Sequence, residues 1–168
     1  MLGPDFNGCI RVSPPLNQAE ADFIHDLALS GRTLRGTPLG RGDREVPYAR
    51  SAWRPCGGRC CLAWDGRQEA ELMVPTLTFL VSHVLGAGAK AAGHRRFRDF
   101  TCDHVLSGVV AGRAYGEPLG RWVMVVDDRV SGGELGEPCE SGGETSSQPG
   151  SEVRPRPANV IDFRPRGA

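Results

Sequence analysis

Two valine-rich segments, His104 to Tyr115 and Arg121 to Ser131, leave this chain little freedom in its choice of fold. They flank Gly116-Glu117-Pro118-Leu119-Gly120, a connection that cannot continue a strand, so the pair predicts a β-hairpin. In the second segment Trp122, Met124 and Val126 fall on one face and Val123 and Val125 on the other. With both faces apolar, that strand is expected inside a sheet rather than at its edge. Asp127-Asp128 stand where the pattern runs out and are read as a turn, not as paired catalytic carboxylates.

Upstream, Gly8 to Ser13 alternates, with Ile10 and Val12 on one face and Cys9 and Arg11 on the other, the period of a half-buried strand. After Pro14-Pro15, Asn17 and Glu20 form a helix-start pair, and Phe23, Ile24, Leu27 and Ala28 make one apolar stripe that Ser30-Gly31 closes. Arg32 to Val46 sustains no periodicity and is read as a long loop. Tyr48–Arg54 and Cys60–Trp64 are the next strands, turned by Pro55-Cys56-Gly57-Gly58. Asp65 is the candidate cap of a second helix whose apolar surface, Leu72 to Leu85, is the broadest in the chain. Pro75 inside it predicts either a kink or a short first turn before the main helix, and Gly86-Ala87-Gly88 stops it.

These elements predict an α+β two-layer sandwich: a mostly antiparallel sheet of about five strands, with two helices on one face. The order β-α-β-β-α-β-β is ferredoxin-like at the level of elements. Hydrophobic content of 39% with 23 glycines and 13 prolines requires that part of the chain stay unpacked. Beyond Ser131 the composition turns to Gly, Ser, Glu and Pro, so residues 5–131 are expected to be the domain and 132–168 a disordered tail ending in an Arg/Pro peptide.

Twenty basic residues balance twenty acidic ones, which removes any global electrostatic pull toward nucleic acid or an anionic membrane. All the basic residues but Lys90 are arginine. The opening Met1-Leu2-Gly3-Pro4-Asp5 lacks the basic and apolar regions of a secretory leader, and Leu72–Leu85 is interrupted and short for a bilayer span. A cytoplasmic protein is therefore expected, with its six cysteines as free thiols.

Four groups of residues are candidates for chemistry. Cys56 and Cys60, spaced Cys-x3-Cys, could form a zinc site with Cys102 and His104, although Cys60 and Cys61 on alternate sides of a strand would leave only one of them for Cys56. Arg95, Arg96, Phe97 and Arg98, with the loop residues Arg32, Arg35, Arg41 and Arg44, would make a nucleic-acid patch: guanidinium groups on phosphates, a ring on a base. Neither Asp65, Glu69 and Glu71 nor Gly86 to Lys90 completes a catalytic or phosphate motif, and the four histidines stand outside any motif; no catalytic residue and no cofactor is expected. In the tail, Val160, Ile161, Phe163 and Arg164 sit between Arg-Pro pairs, with the apolar anchors and limited entropy that a docking peptide needs.

Three further stretches belong together: Gly8 to Leu16 with Glu20, Leu62-Ala63-Trp64-Asp65-Gly66 before a helix ending in Ser82-His83-Val84-Leu85, and His104 to Gly112 followed by Arg121 to Val130. Together they resemble an uncharacterised family of small α+β proteins met in actinobacterial and related genomes, over most of residues 8–131. Relatives tend to carry a small-polar-Gly-Glu run where this chain has Gly112-Arg113-Ala114, and the cysteine turn at Cys56–Cys61 is particular to this chain. No known activity attaches to that family. The resemblance therefore implies a shared fold and carries over no catalytic residue. On these grounds the leading expectation is a non-enzymatic interaction or adaptor module using its domain surface and C-terminal peptide, with nucleic-acid binding and zinc binding as the alternatives.

Overall fold

The computed structural model describes residues 5–136. Six strands and two helices follow in order: β1 Asp5–Ser13, α1 Gln18–Leu29, β2 Trp53–Pro55, β3 Cys61–Trp64, α2 Met73–Phe79, β4 Val105–Arg113, β5 Arg121–Val126 and β6 Arg129–Glu134. All neighbours are antiparallel, in the order β2-β3-β1-β4-β5-β6. Because β1 and β2 both run against β3, they are parallel with β3 between them, and by the same logic β3 and β4 are parallel with β1 between them. Two split β-α-β units thus interlock, the ferredoxin-like arrangement, and β5–β6 extend it beyond β4.

The alternation read in the sequence decides which face is covered. Ile10, Val12, Leu62, Leu106, Val110, Val123 and Val125 are buried against Ile24 and Leu27 of α1 and Met73, Leu77, Leu80 and Val84 of the second helix. Cys9, Arg11, Ser107, Val109, Met124 and Val126 occupy the opposite face and are exposed. Among the described residues the result is two layers, with one sheet face bare.

The sheet has one strand more than expected, because Arg121–Ser131 is not a single strand. Asp127 and Asp128 adopt left-handed backbone at φ 47° and 65°, the conformation of a two-residue hairpin turn that Asp tolerates. The Asp128 carboxylate then accepts the Leu106 N–H at 2.7 Å, tying the turn to β4. Consequently β6 runs on to Glu134, and Gly132, Gly133 and Glu134, expected to begin the tail, are its second half. β5 lies between β4 and β6, as its apolar faces required.

Asn17 and Glu20 do start α1: the Asn17 side chain accepts the Glu20 N–H while the Glu20 carboxylate accepts the Asn17 N–H, a full capping box. In the second helix Pro75 escapes its usual penalty. A 3-10 turn, Ala70–Leu72, precedes α2, and Pro75 is the third residue of α2, within the first turn where an N–H has no intrahelical acceptor anyway. The helix continues as a π-helical segment, Leu80–Leu85. By length and composition Ala70–Gly93 could cross a bilayer, but more than half of its apolar window is buried inside this domain. Asp65 does not cap the helix; it accepts the Arg67 N–H and pairs with Arg54 at 2.8 Å.

Strand β2 is shorter than expected, because Tyr48 stays exposed and only Trp53–Pro55 pair with β3. Nor is the arginine-rich loop loose. Leu34, Leu39 and Val46 are buried, and Arg35 donates to the carbonyls of Arg44 and Val46.

At Gly8, in β1, φ is +99°, and an added Cβ would lie 2.1 Å from the Val109 carbonyl oxygen of β4. Gly8→Ala is expected to destabilise the domain by more than about 1 kcal/mol, read from the urea midpoint, because backbone rather than a flexible side chain must give way. An unchanged midpoint would contradict this reading of the strand pair.

Candidate thiol site

The turn between β2 and β3 begins at Cys56 and returns at Cys61. The Cys56 N–H donates to the Cys61 carbonyl and the Arg59 N–H to the Cys56 carbonyl, both at 2.9 Å. Arg59 takes left-handed backbone at φ 57°. Carbonyls of Arg59 and Cys60 accept the N–H groups of Leu16 and Val12, both at 2.8 Å, so the turn is stapled to the end of β1.

This geometry overturns the expectation that alternation separates Cys60 from Cys61. Cys60 precedes β3 and leaves the left-handed Arg59, so strand alternation does not govern it. The sulfurs of Cys56, Cys60 and Cys61 all lie within 4.8 Å of one another, and Cys56 and Cys60 are 3.7 Å apart. Cys61, paired with Arg11, projects onto the bare sheet face, where its thiol meets that of Cys9.

The shared hydrogen bonds split the acidities. Donation from the Cys61 thiol, then from the backbone and thiol of Cys60 and the Cys61 N–H, brings Cys56 down to about 7 against the opposing effect of burial. Burial first, then the neighbouring Cys56 and Cys9 thiols, pushes Cys61 up to about 12. One sulfur is therefore half ionised at neutral pH and held by a donor that keeps its proton. Alkylation by iodoacetamide should show a half-maximal rate at Cys56 near pH 7 while Cys61 stays protected; peptide mapping checks this, and equal labelling of both would contradict it.

Cys102 and His104 do not join this group. Cys102 is buried and donates to the Val84 carbonyl at 3.5 Å, with its thiol raised chiefly by burial. His104 is 1% exposed and faces acceptors with both ring nitrogens: the Pro14 carbonyl 2.7 Å from Nδ1 and a Glu20 carboxylate oxygen 2.9 Å from Nε2. Glu20, 0% exposed, also accepts the N–H of Thr101 at 2.7 Å and its hydroxyl at 3.0 Å. His104 thus belongs to a buried hydrogen-bonded network that joins the β1 end, the α1 start and the chain entering β4. Its sequence signal was the Asn17-Glu20 cap, which shows the helix start but not the distant histidine.

In the arginine segment, Phe97 is buried and packs edge-on against Phe23 and Phe100, with centroids 5.3 and 5.0 Å apart, so its ring is not free to stack on a base. Arg95, Arg96 and Arg98 are exposed, Arg98 beside Asp99 at 3.9 Å. Arg96 and Arg32 share a cleft with Asp26 under α1. Val160, Ile161, Phe163 and Arg164 lie outside the described residues.

One triad-like group was not anticipated: Ser82 Oγ is 2.7 Å from His83 Nδ1, and His83 Nε2 is 3.2 Å from the Asp43 carboxylate, itself 3.5 Å from Lys90. Ser82 also donates to the Thr78 carbonyl at 2.8 Å, an ordinary helix back-bond that withholds its proton from a base. The group ties the arginine-rich loop to the second helix. The chain matches no family model, no curated protein and no solved structure.

Proposed function

We propose that this chain binds a soft divalent metal, zinc by preference, on Cys56, Cys60 and Cys61, with Cys9 adjacent to Cys61 as the candidate fourth sulfur. The observation that carries this reading is the spacing of the sulfurs. Two thiolates on a tetrahedral zinc, each at about 2.3 Å, stand about 3.8 Å apart, and Cys56 and Cys60 stand at 3.7 Å. An all-sulfur donor set favours zinc over magnesium or calcium, which prefer oxygen. Because the Cys56 thiol is brought down to about 7, its proton is lost near neutral pH without the help of the metal. Such a site would cross-link β2 and β3 at their turn and, through the stapled carbonyls, hold it to β1.

The test uses the full chain. Elemental analysis of protein equilibrated with zinc should give one ion per chain, and cobalt substitution should give the visible bands of a tetrahedral thiolate site. The Cys56→Ser/Cys60→Ser/Cys61→Ser variant should give neither. Equal metal content in both proteins would end the proposal. Lowering the pH from 7 toward 5 should weaken binding more and more steeply, because below about 7 the metal must displace a proton from Cys56 as well as from Cys61.

A second reading, contact with another protein, is favoured by the bare sheet face. Val105, Val109, Met124 and Val126 are exposed there beside Arg11, Arg113 and Arg129, with Asp5 as the acidic residue of the strand rows. Charge complementarity favours a partner presenting apolar side chains in an acidic surround. Val109→Asp should reduce capture of such a partner by the full chain, and a chain ending after Gly136 separates the face from the C-terminal peptide without cutting β6. Capture that survives Val109→Asp would remove the face from this reading.

A further inference from the structure

We propose that hydroperoxides reversibly oxidise the Cys56–Cys60 pair to a disulfide, so that this disulfide and a bound metal exclude each other. The oxidation does not depend on the metal reading; only the exclusion does.

A reversible thiol pair needs access for the oxidant and a second sulfur within reach on a segment free to close. Cys56 combines these. It is only half-buried. It adjoins Gly57 and Gly58, whose own positions are open: nothing lies within 4 Å of a Cβ built at Gly57, and only the Cys60 sulfur does at Gly58. Cys60 is exposed and 3.7 Å away, so bonding at about 2.05 Å asks for a closure of less than about 2 Å, within reach of side-chain rotation and a two-glycine turn.

In the first step the Cys56 thiolate attacks the outer oxygen of the hydroperoxide. An S–O bond forms, the O–O bond breaks, and the alcohol (water, from hydrogen peroxide) leaves after taking a proton from solvent; sulfur loses two electrons and the peroxide gains them. In the second step the Cys60 sulfur attacks the Cys56 sulfenic acid. The S–S bond forms and hydroxide leaves, combining with the Cys60 proton to give a second water. A dithiol reverses the state by exchange, taking the two electrons' worth of oxidation as its own disulfide. With both sulfurs joined, neither remains a thiolate for the metal.

The experiment treats the full-length protein with hydrogen peroxide at pH 7 in two arms, metal-free and zinc-loaded, followed by thiol counting and peptide mass mapping. In the metal-free arm two thiols should be lost as a Cys56–Cys60 disulfide and return with dithiothreitol. Cys60→Ser and Cys56→Ser should each form no disulfide in this turn and instead leave on the remaining sulfur a sulfenic acid that dimedone traps. In the zinc-loaded arm, zinc should be released in step with disulfide formation. If the metal-free protein keeps Cys56 reduced, or its disulfide maps to another pair, the oxidation proposal is overturned whatever the zinc result. If the disulfide forms but zinc was never bound, the metal reading alone fails.

Discussion

Glu20→Ala is expected to cost about 3–5 kcal/mol of folding stability, the sum of a lost helix cap and several buried hydrogen-bonding groups left without a partner. Three connections fail together: the α1 capping box, the two hydrogen bonds from Thr101, and the contact with His104 at 2.9 Å. Against a typical stability of about 5–15 kcal/mol, that leaves a marginal domain. Chemical denaturation followed by tryptophan fluorescence measures it. Glu20→Gln, which keeps an acceptor oxygen but not the charge, should fall between wild type and Glu20→Ala. The double variant Glu20→Ala/His104→Phe should be no less stable than Glu20→Ala alone, because it removes the stranded imidazole along with its partner. A loss under about 1 kcal/mol for Glu20→Ala would show that the network carries little of the fold's stability.

Cys56→Ser is expected to lower zinc affinity by at least about a hundredfold, since removing even an outer-shell partner of a metal ligand costs ten- to a hundredfold. Competition with a chromogenic chelator reads this directly. Cys102→Ser and wild type should bind zinc equally, because the Cys102 thiol is bonded to the Val84 carbonyl and stands outside the three-thiol group. The pair of variants separates the two ligand sets. Equal losses from Cys56→Ser and Cys102→Ser would favour the set reasoned from sequence spacing. A loss confined to Cys56→Ser would favour the turn.

What the sequence made legible follows how local each signal is. Ile10 and Val12 against Cys9 and Arg11 specify a strand and its buried face within a few residues, and Val123 and Val125 against Met124 do the same. The Asn17-Glu20 pair specifies the α1 start because both hydrogen bonds close within three residues. β6 lacks such a signal: Ser131-Gly132-Gly133 has almost no side chain to alternate, and its pairing with β5 depends on the left-handed Asp127-Asp128 turn. The thiol group was half legible. Spacing pairs Cys56 with Cys60, but strand alternation begins only at Cys61, so it does not separate Cys60 from Cys61 as the sequence pattern predicts.

By itself, then, the sequence determined the α+β class, the identity of the buried faces and the first helix cap. Each is dictated by periodicity or by hydrogen bonds between near neighbours. Only the tertiary structure decided that Glu20 is buried and faces His104 rather than capping the helix at the surface, and that Cys102 and His104 lie in the core, apart from the cysteine turn. It alone also brought Cys61 and Cys9 together across β1 and β3 beside Cys56 and Cys60. Those outcomes depend on strand order and register, which place side chains 50 or more residues apart within bonding distance and which no local pattern encodes.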